Sequence, residues 1–166
     1  MWTKSYSTTV KGTDVDRLWQ IWSDVDAWHT WQHDLDYAKL EGAFAAGSTF
    51  LLKPKGGPRV RIALLTVEPN RRFVDLTRFP LAKMYGAHEF IARGEDEVEI
   101  RTSVRVEGAL GFLWRKLVGE GVAKSLPEQS RGLVARARGV VNDAETNGAS
   151  GETTKTVRIG EAAAHG

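Results

Sequence analysis

The feature that most constrains this chain is a helical pattern near its C-terminal end, within Leu110–Val141. Leu126, Leu133, Ala137, Val140 and Val141 recur there at helical spacing, with Glu128, Arg131, Arg136 and Arg138 mostly on other faces. Ser125-Leu126-Pro127-Glu128 fits a capping box, with Pro127 in the first turn, where its missing N–H breaks no helical bond. Upstream, Leu110, Leu113, Trp114, Leu117 and Val118 make a shorter apolar stripe, loosened at Gly119 and Gly121. The pattern predicts a short helix, a glycine hinge and a long helix of about 18–20 residues. A helix with one apolar stripe needs a sheet against which to bury it.

The sheet is legible upstream. Trp2–Val10 alternates Trp2, Lys4, Tyr6, Thr8 and Val10 against short polar residues, which argues for a strand. Gly12-Thr13-Asp14 stops it and offers an N-cap. Val15, Leu18, Trp19 and Trp22 then share one helical face, and a second short helix around Asp24–His33 follows. From Tyr37 the period returns to two. Strands are expected at Tyr37–Glu41, Ser48–Lys53, Val60–Thr66, Arg72–Phe79, Met84–Ala92 and Glu97–Glu107, with turns at Pro54–Pro58 and Arg93–Asp96. The last strand alternates most cleanly, Val98, Ile100, Thr102, Val104 and Val106 against charged neighbours, as one wet and one buried face require.

The expected fold is therefore α+β: a curved seven-stranded antiparallel sheet wrapped around a long C-terminal helix, with two short helices between strands 1 and 2. Residues 1–144 form the domain. Residues 145–166 are rich in Gly, Ala and Thr with few large apolar residues, and read as a disordered tail. Within it, Val157 and Ile159 offer at most a short edge strand.

Composition narrows the function classes. The 23 basic and 21 acidic residues nearly cancel, leaving +2, without the basic stripe that nucleic-acid binding requires. No apolar run is long enough for a membrane span, and the N-terminus has no signal-peptide core. With no cysteine, disulfides and thiolate chemistry are excluded, which fits a cytoplasmic setting. His29 and His33 stand at i, i+4 near Asp34 and Asp36, but without the full HExxH pattern, so no metal site and no cofactor is expected. Neither Gly119–Ser125 nor Gly56-Gly57 satisfies a phosphate-loop pattern, and no G-x-S-x-G elbow occurs.

Several runs resemble the SRPBCC superfamily, the helix-grip proteins that include START lipid-transfer domains, birch-pollen-allergen-like proteins and bacterial polyketide cyclase/dehydrase-like proteins. Its carriers are Val15-Asp16-Arg17-Leu18-Trp19, the D-x-x-x-W-x-x-W segment of Asp24, Trp28 and Trp31, and the Val106-Glu107-Gly108 hairpin end leading into Leu110–Trp114. The resemblance spans Trp2–Val141. It implies an internal cavity between sheet and long helix that binds a hydrophobic small molecule and in some members catalyses cyclisation or dehydration.

One helix cannot fill the concavity of so large a bent sheet, and the residues expected to line the remaining space follow from strand alternation. They are Tyr6, Val60, Ile62, Leu64, Phe73, His88, Phe90, Ile100, Thr102 and Val104 on the sheet, with Leu133 and Ala137 on the long helix. Trp28 and Trp31 plug one end; Trp114 and Leu117 line the mouth beside the glycine hinge.

His88 and Asp75 are the candidate polar or catalytic groups. An inward imidazole can anchor a ligand carbonyl, relay a proton, or simply bond a neighbour in the core. Asp75 alternates with Phe73, Thr77 and Phe79. Facing inward it would need a partner from Arg59, Arg61, Arg78 or Arg101; a one-residue slip would put it in water. The reading is binding or transport of a hydrophobic or aromatic, lipid- or polyketide-like molecule by a monomer or weak dimer. The alternative is an aromatase/cyclase-type enzyme using His88 as general acid and base, and a partner-binding role would need an exposed apolar patch.

Overall fold

The computed structural model describes residues 1–139. The chain runs through β1 (Trp2–Lys11), α1 (Val15–Ser23), a 3₁₀ turn (Val25–Thr30), and strands β2 (Leu35–Glu41), β3 (Thr49–Pro54), β4 (Val60–Glu68), β5 (Arg72–Phe79), β6 (Ala82–Ala92) and β7 (Glu97–Glu107). It ends in α2 (Gly111–Trp114), a π turn (Arg115–Gly119) and α3 (Glu120–Ala137). The α+β helix-grip fold expected from the residues is the one observed. The expected tail at 145–166, with Val157 and Ile159, and the last helical pair Val140 and Val141 lie outside the described residues.

All seven strands form one antiparallel sheet in the order β1-β7-β6-β5-β4-β3-β2. The order follows from short hairpins linking consecutive strands from β2 to β7, after which β1 closes on β7 along its whole length, Trp2 opposite Val106 through Lys11 opposite Glu97. Bulges between Leu64 and Thr66 and near Leu35–Tyr37 bend the strands they interrupt.

Local chemistry accounts for α1. The Asp14 side chain accepts from the Asp16 amide, capping the first turn, and Leu18, Ile21 and Trp22 make the buried stripe. Leu18 and Trp22 cover one end of the concavity, where Leu64, Phe90, Val98 and Ile100 complete a dry core.

The C-terminal helical stretch differs from the sequence expectation. It is continuous from Gly111, and its irregularity is a π turn rather than a break. Gly119 is a contact point, because a Cβ there would meet the Trp2 ring and Val106 at 3.0 Å. Ser125 caps nothing. It sits mid-helix, its hydroxyl donating to the Val122 carbonyl at 2.9 Å and accepting from Gln129 Nε2 at 2.8 Å. Pro127 likewise lies inside α3. A proline there withdraws one backbone donor, and burial of Leu126, Ser130 and Leu133 carries the helix through it. α3 packs against β1, β7 and α1, and Gly132 lets it approach the Trp31 carbonyl, to which a Cβ would come within 2.6 Å.

Candidate functional site

Because α1 fills one end of the concavity and α3 leans toward the β1–β7 side, space over the middle of the sheet, from β3 to β7, is left open. It forms a cavity of about 550 Å³, walled by the sheet, the 3₁₀ turn, the β3–β4 turn and the helical segment from Trp114 to Leu133. Its surface is mainly apolar, with a few inward polar groups, as small-molecule pockets are.

Strand β5 carries the site. Its inward positions Phe73, Asp75, Thr77 and Phe79 all reach the cavity wall, running from the dry core toward the mouth. Asp75 stands opposite Gly86 on β6, and Phe73 opposite His88. A Cβ on Gly86 would fall 2.6 Å from Asp75 Oδ2, so the missing side chain is what gives the carboxylate room.

The carboxylate then meets His88, whose Nε2 lies 3.3 Å from Asp75 Oδ2; the pair is ionic when the imidazole is protonated. The His88 ring is fixed by stacking on Phe73 at 4.3 Å and by the edge of Trp22 at 5.5 Å. With side chains 16% and 14% exposed, His88 and Asp75 are reachable from the cavity without being open to bulk water. A carboxylate-paired imidazole held on an aromatic wall can exchange a proton with a bound molecule or orient its carbonyl.

Two further wall groups carry unspent hydrogen-bonding capacity. Thr77 Oγ1 and Trp31 Nε1 are buried without a partner among the described residues. Trp28, by contrast, donates its indole N–H to the Trp22 carbonyl at 3.0 Å. Buried polar atoms are rarely left unpaired, and an orphan on a cavity wall is a natural contact for a ligand.

Eleven of the expected positions meet in this cavity: Trp28, Trp31, Val60, Ile62, Phe73, His88, Thr102, Val104, Trp114, Leu117 and Leu133, and Asp75 joins them. Five expected positions are not on its wall. Leu64, Phe90 and Ile100 sink into the dry core, Phe90 stacked on Trp22 at 4.1 Å. Tyr6 is half-buried on β1, the sheet edge against which α3 packs, and Ala137 lies against the core at the far end of α3. Alternation identifies the face of a residue but not which part of that face a neighbouring helix covers. Asp75 faces inward with His88 as its partner, so the expected arginine partners are corrected. His29 and His33 are exposed, with His29 Nδ1 at 3.0 Å from the Asp26 carbonyl.

The sequence reading passed over Thr77, Gln32 and the helix residues Ser125, Gln129 and Ser130, all on the wall. A signal existed for two of them. Thr77 shares the alternation of Phe73 and Asp75, and Ser130 falls on the stripe of Leu126 and Leu133.

A curved antiparallel sheet gripping a long helix across an apolar cavity defines a protein of the START-like, helix-grip class. The chain belongs to the family described as "polyketide cyclase / dehydrase and lipid transport", whose model matches residues 1–138. No curated protein matches the sequence significantly.

Among solved structures, a hypothetical protein from Helicobacter pylori is similar, at 18% identity over 82% of this chain and 88% of that one, with a TM-score of 0.70. A START superfamily protein from Mycobacterium smegmatis has 17% identity over 84% and 99%, TM-score 0.63. Norcoclaurine synthase from Thalictrum flavum, solved in complex with dopamine and hydroxybenzaldehyde, has 11% identity over 83% and 88%, TM-score 0.63. At these identities the likeness is one of fold. Among the described residues no helix is long and apolar enough to cross a membrane.

Proposed function

We propose that this protein binds and carries a hydrophobic, ring-containing or lipid-like small molecule in the cavity between β3–β7 and α3, as a monomer or weak dimer. The observation that carries the reading is the cavity itself, about 550 Å³ with a predominantly apolar wall and inward polar groups that include His88, Asp75, Thr77 and Trp31. The family description, which includes lipid transport, supports it. The ligand complex of norcoclaurine synthase adds that a related fold accepts small aromatic molecules. Titration with an environment-sensitive apolar dye and with flat polycyclic phenols, followed by tryptophan fluorescence, tests it. Saturable binding that perturbs Trp28 and Trp31 is expected, and a well-folded protein with no saturable response would refute the reading.

A second reading, favoured by the His88–Asp75 pair, is an aromatase/cyclase-type enzyme. There Asp75 would orient the imidazole, and His88 would take a proton from a carbon next to a carbonyl and return one to the departing hydroxyl during aldol closure and water loss. Replacing His88 by Ala separates the two. Carriage predicts weaker binding, by about ten-fold if one charge-assisted hydrogen bond is lost. Catalysis predicts loss of turnover of a polyketone surrogate with binding largely kept.

A further inference from the structure

The outer side of the cavity mouth has a character that small-molecule binding does not require. Of the seven large hydrophobic residues that are exposed among the described residues, four gather there: Leu81, Phe112, Leu113 and Leu117. Leu81 sits in the two-residue turn between β5 and β6, Phe112 and Leu113 on α2, and Leu117 in the π turn.

These segments are one body. Trp114 Nε1 donates to the Pro80 carbonyl at 3.0 Å, the Leu110 amide donates to the Leu81 carbonyl at 3.1 Å, and Trp114 stacks on Phe79 at 4.3 Å. The backbone of Leu81 adopts φ +54°, a region that side chains of its size rarely enter, yet its side chain remains 69% exposed. The turn holds an apolar residue outward at a conformational cost.

Charge indicates the occupant. Arg78 and Lys83 face each other across the same β5–β6 hairpin, and exposed Lys116 lies one turn from Phe112. None of the three enters an ion pair among the described residues. The nearby acids are engaged: Glu120 pairs with Arg115 at 2.9 Å and Glu107 lies 3.7 Å from Arg105. Protruding apolar side chains ringed by unpaired cations are the chemistry that an anionic bilayer surface recognises, the former seated at the acyl boundary and the latter at phosphates.

We propose that the β5–β6 turn together with the α2–π-turn face docks this protein on membranes bearing anionic lipid. Leu117 and Phe79 belong both to this region and to the cavity, Leu117 to its wall and Phe79 to the wall and to the groove beside Leu81. The docked face therefore adjoins the cavity at Leu117 and Phe79. A hydrophobic ligand would pass between bilayer and cavity without crossing water, which rests on reading the cavity as its carrier site; docking itself does not.

Sedimentation of the full chain with vesicles of phosphatidylcholine, and of equimolar phosphatidylcholine and phosphatidylglycerol, tests the proposal. Binding to the anionic vesicles is expected, weakening as salt rises. Phe112→Ser combined with Leu81→Asn, a residue that tolerates the left-handed turn, should reduce partitioning by about ten-fold or more. Lys116→Gln should reduce it by about five-fold. Neither changes a cavity-wall residue, so dye uptake should persist in both. Equal binding to the two vesicles, no binding at low salt, or binding indifferent to the substitutions would overturn the proposal. So would a wild-type dimer that these substitutions make monomeric, since the face would then belong to a second copy. Vesicle binding without dye uptake would instead refute the carrier reading and leave docking standing.

Discussion

The two ends of the concavity are built from similar residues and do opposite things. At the α1 end, Leu18, Leu64, Phe90 and Ile100 pack into the core away from the cavity wall, Phe90 stacked on Trp22 at 4.1 Å. At the α3 end, Trp31, Met84, Phe79 and Trp114 surround a void of about 550 Å³. Both ends are rich in aromatic residues, so hydrophobicity alone does not set where the cavity falls. The difference lies in what crosses the sheet. α1 is short, capped by Asp14 and pressed inward by Leu18 and Trp22, whereas α3 faces the cavity with Ser125, Gln129 and Ser130. A core is stabilised by filling; a site needs room and a few polar groups beside it.

Substitutions sharpen the contrast. Phe90→Ala, in the filled end, should cost about 3–5 kcal/mol in urea unfolding, whereas Met84→Ala, whose side chain already borders open space, should cost well under half of that. Equal costs would mean that the cavity collapses around a missing side chain and that the two ends do not differ.

Gly86→Ala should cost about 1–3 kcal/mol, because the added methyl must displace the Asp75 carboxylate or part the strands. It should also change the His88 imidazole resonances in two-dimensional NMR, since the Asp75 contact is lost. An unperturbed His88 would mean that Gly86 is not what seats the pair.

The outer face of the sheet offers a smaller effect with a definite sign. Glu99 is nearly enclosed by Arg93 and Arg101; the bond from Arg93 foremost, aided by that from Arg101, overcomes the opposing effect of burial and holds its carboxyl below the ordinary glutamate value. A folded-state value lower than the unfolded one means that this contribution is complete above about pH 4.3 and is lost as pH falls through the lowered folded value. Glu99→Gln should therefore narrow the stability gap between neutral and acid conditions in pH-dependent unfolding, and an unchanged acid limb would show the arginine clamp to be inert.

Thr77→Val should have the smallest effect on stability, neutral or favourable by about 1 kcal/mol, since it removes a buried hydroxyl that has no partner among the described residues. Weaker dye or phenol binding in the same variant would mark the hydroxyl as a ligand contact. Marked destabilisation would show that a bond within the protein holds it.

Much of this molecule was legible in the chain because two periods reach the page undistorted. Period-two runs located every strand to within a few residues, and the Val15–Trp22 face located α1, because each element buries one side and wets the other. The breakpoints in α3 were less legible. Ser125-x-x-Glu128 after two glycines has the signature of a helix start, but helix starts compete with tertiary burial, and Leu126, Ser130 and Leu133 are buried as one continuous stripe. The candidate site was legible residue by residue and not as a set. His88 and Asp75 were both marked, yet their pairing depended on the β5–β6 register, which places Asp75 opposite Gly86 and His88 opposite Phe73.

By itself, then, the sequence determined the strands, the sheet's buried face, the gripping helix and the family. These follow from local alternation and apolar stripes, which need no partner to be read. The tertiary structure alone decided that Leu64, Phe90 and Ile100 are core while Val60, Ile62 and Thr102 are wall, and that Asp75 meets a histidine. It alone gathered Leu81 with Phe112 and Leu117 at the mouth. Each of these depends on which element crosses which strand, a distance between residues far apart in the chain that no local pattern encodes.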